Sequence, residues 1–256
     1  MSFEPQPALA QAPIRPSHLV LAPPRGTPFV VEGCVIQTAC DGVIYAQEDP
    51  AQSVYQVVVG AVRTLSHTSD GRRIIHGFHL PGEIFGLERE KLHLCSAEAV
   101  CDARLVRCGR AQLQALADED MRAADAMWWW LLLSRDRTAD RLHFLTRANA
   151  VDKVADFLID IAQRTGSAGR IELPMSRYDI ADYLGLSPET VSRAFSALRE
   201  KGLIACRGRS VLILEAGFRR IPTRDDGEPR MRTAEAERSF QPPRARGPTV
   251  PPTRPQ

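Results

Sequence analysis

Apolar residues recur with different periods along this chain, and the changes of period divide it. From Phe29 to about Val106 they form short alternating or continuous runs between turn residues. These are GVIYAQEDPAQSVYQVVVGAVRTL over 42–65, a turn at Ser69-Asp70-Gly71, RRIIHGFHL over 72–80 and a second turn at Pro81-Gly82. Many short strands with glycine punctuation predict a β-sandwich or jelly roll. From Gln112 to Ala148 the period becomes helical. Leu113 and Leu116 fit a short helix, and a long one runs from about Asp120 to Thr146. Met121, Ala124, Trp128, Leu131, Leu142 and Leu145 follow an a/d seam, interrupted at Arg135 and Thr138, which predicts a dimerisation helix. Trp128, Trp129 and Trp130 span about 200° of that helix, so at least one must leave the seam and pack on a neighbouring domain.

A third pattern follows. Val151, Val154, Ala155, Leu158 and Ile161 line one face of a further helix, which Gly166 to Gly169 ends. In SRYDIADYLGLSPETVSRAFSAL, over 176–198, Ser176 and Asp179 have the spacing of a capping pair. Ile180, Ala181 and Leu184 form an apolar face, and Gly185 supplies a tight turn. Ser187 is the expected N-cap of a second helix, with Pro188 at its first position. Val191, Ala194, Phe195 and Leu198 point one way; Glu189, Ser192, Arg193 and Ser196 share the opposite face. By itself the Glu-x-x-Ser-Arg string is an ordinary surface ion pair. Within a capped two-helix frame it becomes a base-reading face, because a major-groove helix contacts bases with its N-terminal residues. Arginine donates twice to guanine O6 and N7, and glutamate accepts from cytosine N4. Ser187 and Thr190 lie beside these residues at the helix start. Beyond Gly202, LIAC and VLILEA flank Arg207-Gly208-Arg209-Ser210, a hairpin whose tip offers Arg207 and Arg209 to phosphates.

Composition adds limits. Net charge is only +2, but residues 147–221 carry 12 Lys/Arg against 9 Asp/Glu. That mild basic bias is compatible with phosphate contacts. Residues 1–28, with seven prolines, and the Arg/Pro/Glu-rich 222–256 bury too little to order themselves and are expected to be disordered. The start has no secretory leader, and the longest apolar run, Ala126 to Leu133, is too short to span a bilayer, so a cytoplasmic, non-membrane location is expected. The six cysteines (34, 40, 95, 101, 108, 206) are then free thiols or ligands. No G-x-S-x-G, Walker loop or H-E-x-x-H motif suggests an enzyme.

Strands, long helix and winged helix-turn-helix in this order resemble the Crp/Fnr superfamily of bacterial transcription regulators over about 29–221. SRYDIADYLGLSPETVSR and RRIIHGFHLPGEIFGLE are similar to its FixK-like branch. The resemblance implies an α+β chain: a disordered arm (1–28), a cyclic-nucleotide-binding-like β-roll (29–118), a dimerisation helix (119–146), a winged helix-turn-helix (147–221) and a tail (222–256). It implies a homodimer on double-stranded DNA at a TTGAT-N4-ATCAA-like inverted repeat, with RNA polymerase as a partner, and it places turns of the roll at glycines 42, 60, 71, 82 and 86. It also exposes departures. Leu87 stands where cyclic-AMP-binding members carry a ribose-binding glutamate, and Cys95-Ser96 replaces their phosphate-binding Arg-Ser. The arm lacks the cysteines of Fnr-type iron–sulfur sensors, and Ser176 replaces the cysteine of one FixK-type redox control. No cofactor and no metal is therefore expected. The alternative is the same fold sensing redox state, metal, haem or nitric oxide through the roll, where Cys34, Cys40, Cys95, Cys101, His76, His79 and His93 are the candidate ligands.

Overall fold

The computed structural model describes residues 16–21, 29–167 and 169–214. Residues 1–15, 22–28 and 215–256, and with them the expected tail and most of the expected arm, lie outside the described residues. Strands β1 (Pro16–Leu21), β2 (Phe29–Thr38), β3 (Val43–Tyr45), β4 (Ser53–Val59), β5 (Val62–His67), β6 (Arg73–His79), β7 (Ile84–Phe85), β8 (Ser96–Ala99) and β9 (Ala103–Gly109) come first. Helices α1 (Arg110–Glu119), α2 (Met121–Thr146) and α3 (Ala150–Arg164) follow. The rest is β10 (Arg170–Glu172), α4 (Arg177–Leu184), α5 (Pro188–Glu200), β11 (Ile204–Arg207) and β12 (Ser210–Ile213).

The roll is two antiparallel sheets, ordered β1-β2-β9-β4-β7 and β3-β8-β5-β6. Strand β4 is buried on both faces over residues 54–57 and so runs largely apolar there instead of alternating, whereas β9 buries Ala103, Leu105, Val106 and Cys108 and exposes Arg104 and Arg107. Tyr55, Val57, Ala103 and Leu105 face a core shared with Tyr45, Val62, Phe85, Ala97 and Ala99. Val54, Val106 and Cys108 face outward onto α1 and α2, where they meet Leu113, Ala126 and Trp130. Trp130 is thus the tryptophan that leaves the seam. Trp128 remains 64% exposed. Four of the five turn glycines, 60, 71, 82 and 86, have positive φ. At Gly60 a Cβ would also lie 2.5 Å from the Asp102 carbonyl oxygen, so only glycine fits.

Residues 1–28 are not wholly an unstructured arm: Pro16–Leu21 pairs antiparallel with Phe29–Cys34, and Leu19 is completely buried. Proline-rich composition concealed a short apolar strand whose order comes from an available sheet edge, with Pro16 at the first strand position, where its missing N–H is tolerated. Strand β10 was also not foreseen. Three residues are too few for a periodic signal, and its partner β12 lies about forty residues on in sequence.

Candidate nucleic-acid interface

The helix-turn-helix is built by local rules. The Ser176 hydroxyl accepts from the Asp179 N–H at 3.1 Å, and the Asp179 carboxylate accepts from the Ser176 N–H at 3.0 Å, closing the capping box of α4. Gly185 ends that helix at φ 64°, a left-handed conformation favouring glycine. Ser187 then caps α5, accepting from the Thr190 N–H at 3.2 Å, with Pro188 at the first helical position. Val191, Ala194, Phe195 and Leu198 are all buried, in one core with Ile180, Ala181 and Leu184 of α4 and with α3. The Arg177 guanidinium lies 3.2 Å from the Phe195 ring centre, joining the two helices further.

Burial of that face presents the other to solvent. Glu189, Ser192 and Arg193 are exposed together, and Ser196 is half-buried behind them. The carboxyl of Glu189 is held below its usual range by its own backbone N–H, by the Ser187 hydroxyl and, to a smaller extent, by Arg193, so it stays ionised. Ser192 donates its hydroxyl proton to the Pro188 carbonyl at 2.9 Å, leaving the oxygen as an acceptor. Ser187 and Thr190 serve the cap, with their hydroxyl oxygens 3.0 Å apart. The hairpin β11–β12 turns through Gly208-Arg209, and Arg207 and Arg209 are exposed at its end. The Arg209 carbonyl accepts from the Leu173 N–H at 3.0 Å, which ties the tip to the segment leading into α4.

The roll's ligand positions are differently furnished. Leu87 borders a cavity of about 390 Å³ with Val54, Leu113, Met127 and Leu131. Burial, and then Glu88 beside it, push the Cys95 thiol up to about 11, so it is neutral. Ser96 accepts from the Gln47 N–H at 2.9 Å. Two nearby arginines are engaged: Arg110 donates to the carbonyls of Ala51, Glu88 and Glu90, and Arg89 pairs with Glu90 at 2.6 Å. This donor set does not fit the anionic phosphate of a cyclic nucleotide. Among the described residues no group of three or more His, Cys, Asp or Glu is arranged to hold a metal. His76 bonds Ser66 at 2.8 Å, and His93 stacks on Tyr45 and bonds Glu88 at 2.9 Å. His79 is half-buried and stacks on Phe85, its pKa lowered to about 4 by desolvation.

The sequence singled out the exposed face of α5 but missed what α4 touches. Asp179 and Asp182 bond Arg63 and Arg73 of the roll. Only the cap spacing of Asp179 was visible, since partners more than a hundred residues away leave no periodic trace.

A β-roll, a long helix and a winged helix-turn-helix define a DNA-binding protein of the regulator class. The Cyclic nucleotide-binding domain family matches residues 37–120, and the Crp-like helix-turn-helix domain family matches 152–217. The chain is 44% identical over 164 residues to the nitrogen fixation regulation protein FixK of Rhizobium meliloti, covering 64% of this chain and 74% of that protein. With the protein of the same name from Azorhizobium caulinodans it shares 39% over 214 residues, 81% and 83% of the two chains. The solved structure of FixK2 from Bradyrhizobium japonicum superposes with a TM-score of 0.69 at 40% identity, covering 73% of this chain and 94% of that one. The chain belongs to the Crp/Fnr family of transcription regulators, with FixK proteins among its relatives.

Proposed function

We propose that the protein is a cytoplasmic, homodimeric regulator that binds a TTGAT-N4-ATCAA-like inverted repeat without cyclic nucleotide or iron–sulfur cluster and acts on RNA polymerase. The observation that carries this reading is the single exposed face formed by Glu189, Ser192 and Arg193 at the start of a capped helix. Arg193 is assigned to a guanine, Glu189 to a cytosine N4–H, and Ser192 to a neighbouring base edge. Ser187, Thr190 and Ser196 line the same helix start, and Arg207 and Arg209 are assigned to phosphates. Dimerisation is supported by the α2 seam, where Met121, Trp128, Leu131 and Leu142 are between 46% and 76% exposed in one chain. A two-fold dimer presents its recognition helices about 34 Å apart, one DNA turn, hence the inverted repeat.

The test is selection of binding sites from a random duplex library by the full-length protein at fixed salt. The expected product is a two-fold repeat whose half-sites centre on a G·C pair, and cyclic AMP should leave the affinity unchanged. Enrichment of a single, asymmetric half-site would contradict the dimer. Micromolar cyclic AMP that tightens binding would contradict the effector-free reading.

A further inference from the structure

The roll and the helix-turn-helix meet through charge as well as apolar packing. Leu65, Ile75 and Phe78 of the four-stranded sheet share one core with Phe157, Ile180 and Tyr183. Beside it, the nearly buried Arg63 reaches Asp41 at 2.9 Å and Glu98 at 2.7 Å within the roll, and Asp179 of α4 at 3.1 Å. Arg73 reaches Asp179 at 2.9 Å and Asp182 at 2.7 Å. One oxygen of Asp179 receives both arginines, while the other receives the Ser176 N–H and hydroxyl. A single carboxylate therefore caps the first helix of the motif and joins it to another domain. A second node reinforces the first: Glu83 pairs with Arg164 of α3 at 2.8 Å and with Arg137 of α2 at 2.9 Å.

Apolar contact alone tolerates sliding; buried ion pairs with fixed donor geometry do not, and their removal leaves uncompensated charge. Helices α4 and α5 share a core, so whatever orients α4 orients the exposed face of α5. Neither Arg63 nor Arg73 belongs to that face. We propose that Arg63 and Arg73 are positioning residues: by gripping Asp179 and Asp182 they hold the helix-turn-helix on the roll in the orientation that reads DNA. The chain thereby carries an internal latch that sets its DNA affinity. The DNA half of this inference rests on the function proposed above.

The test uses full-length protein carrying Arg73→Glu, and Arg73→Glu with Asp182→Arg, with Arg73→Gln as the milder variant should the reversal fold poorly. Two quantities are read: hydrogen exchange of segments 73–79 and 177–184, and affinity for the selected duplex. Apparent affinity scales with the fraction of molecules in the competent orientation, so Arg73→Glu should weaken binding about tenfold and Arg73→Gln about threefold. Exchange in both segments should accelerate in parallel, and Asp182→Arg should restore both quantities in part in the charge-reversed pair, since Asp179 stays without its Arg73 partner. A structural role without orientation would change exchange but leave the affinity alone, and this result overturns the proposal. So does tighter DNA binding on breaking the pair, which would make the contact inhibitory, and so does unchanged exchange. Arg193→Ala separates the two readings: it should weaken DNA binding with no change in exchange. If the wild type selects no duplex, the DNA-reading function fails, while the exchange data still decide whether the ion pairs hold the domains.

Discussion

At the scale of single residues, the proposed function gives distinct roles to Glu189 and Arg193 on the exposed face of α5 and to Arg207 on the β11–β12 hairpin. A bidentate arginine–guanine contact is worth about 1–3 kcal/mol of discrimination, so Arg193→Ala should cost that much at one base pair and relax the preference there. Glu189→Ala removes an ionised group that repels phosphate; non-specific affinity should rise while discrimination at the cytosine falls. Arg207→Ala should weaken all duplexes alike and reduce the salt slope by roughly one counterion. Binding to duplexes varied base by base in one half-site, at two salt concentrations, distinguishes these outcomes; a uniform loss for Arg193→Ala would reduce it to a phosphate anchor. These residues were legible in sequence because caps and helical faces are local. The charge partners of Asp179 were not, since hydrogen bonds between distant segments follow no spacing rule.

At the scale of elements, α2 carries two faces. Ala123, Ala126, Trp130 and Phe144 are buried within one chain, while Leu142 on the opposite side is 60% exposed. Replacing Leu142 with glutamate would place a charge in an apolar seam, and desolvating it should raise the dissociation constant of the proposed dimer at least about tenfold. Sedimentation velocity over a concentration series should then show monomer where the wild type shows dimer, with helix content by circular dichroism unchanged. A variant that sediments like the wild type would remove the seam from the interface. The heptad spacing was readable from sequence. The choice of Trp130 over Trp128 and Trp129 as the inward tryptophan was not, because all three have the same chemistry and only the position of the roll selects among them.

At the scale of the whole molecule, the junction of roll, α2 and α3 contains a pH-sensitive group. His79 is half-buried near Glu83, Arg164 and Arg137, and desolvation lowers its pKa from 6.5 to about 4. The folded state therefore binds fewer protons than the unfolded chain between those values. Stability from this group is complete above pH 6.5 and is lost as pH falls toward 4, by up to about 3 kcal/mol. Urea denaturation across that window should show the decline, and His79→Phe should flatten it. An equal slope in the variant would place the acid sensitivity elsewhere. The division into strands, long helix and helix-turn-helix, the caps at Ser176 and Ser187, and the segregation of Glu189, Ser192 and Arg193 from the core were determined by the sequence alone. They depend on residue type and spacing within one or two turns of chain. The tertiary structure decided the strand at 16–21, the inward tryptophan, the desolvation of His79 and the docking of α4 on Arg63 and Arg73. Each of these depends on a sheet edge, a cavity or a counter-charge supplied by a distant segment, and such a partner acquires a position only when the chain has folded.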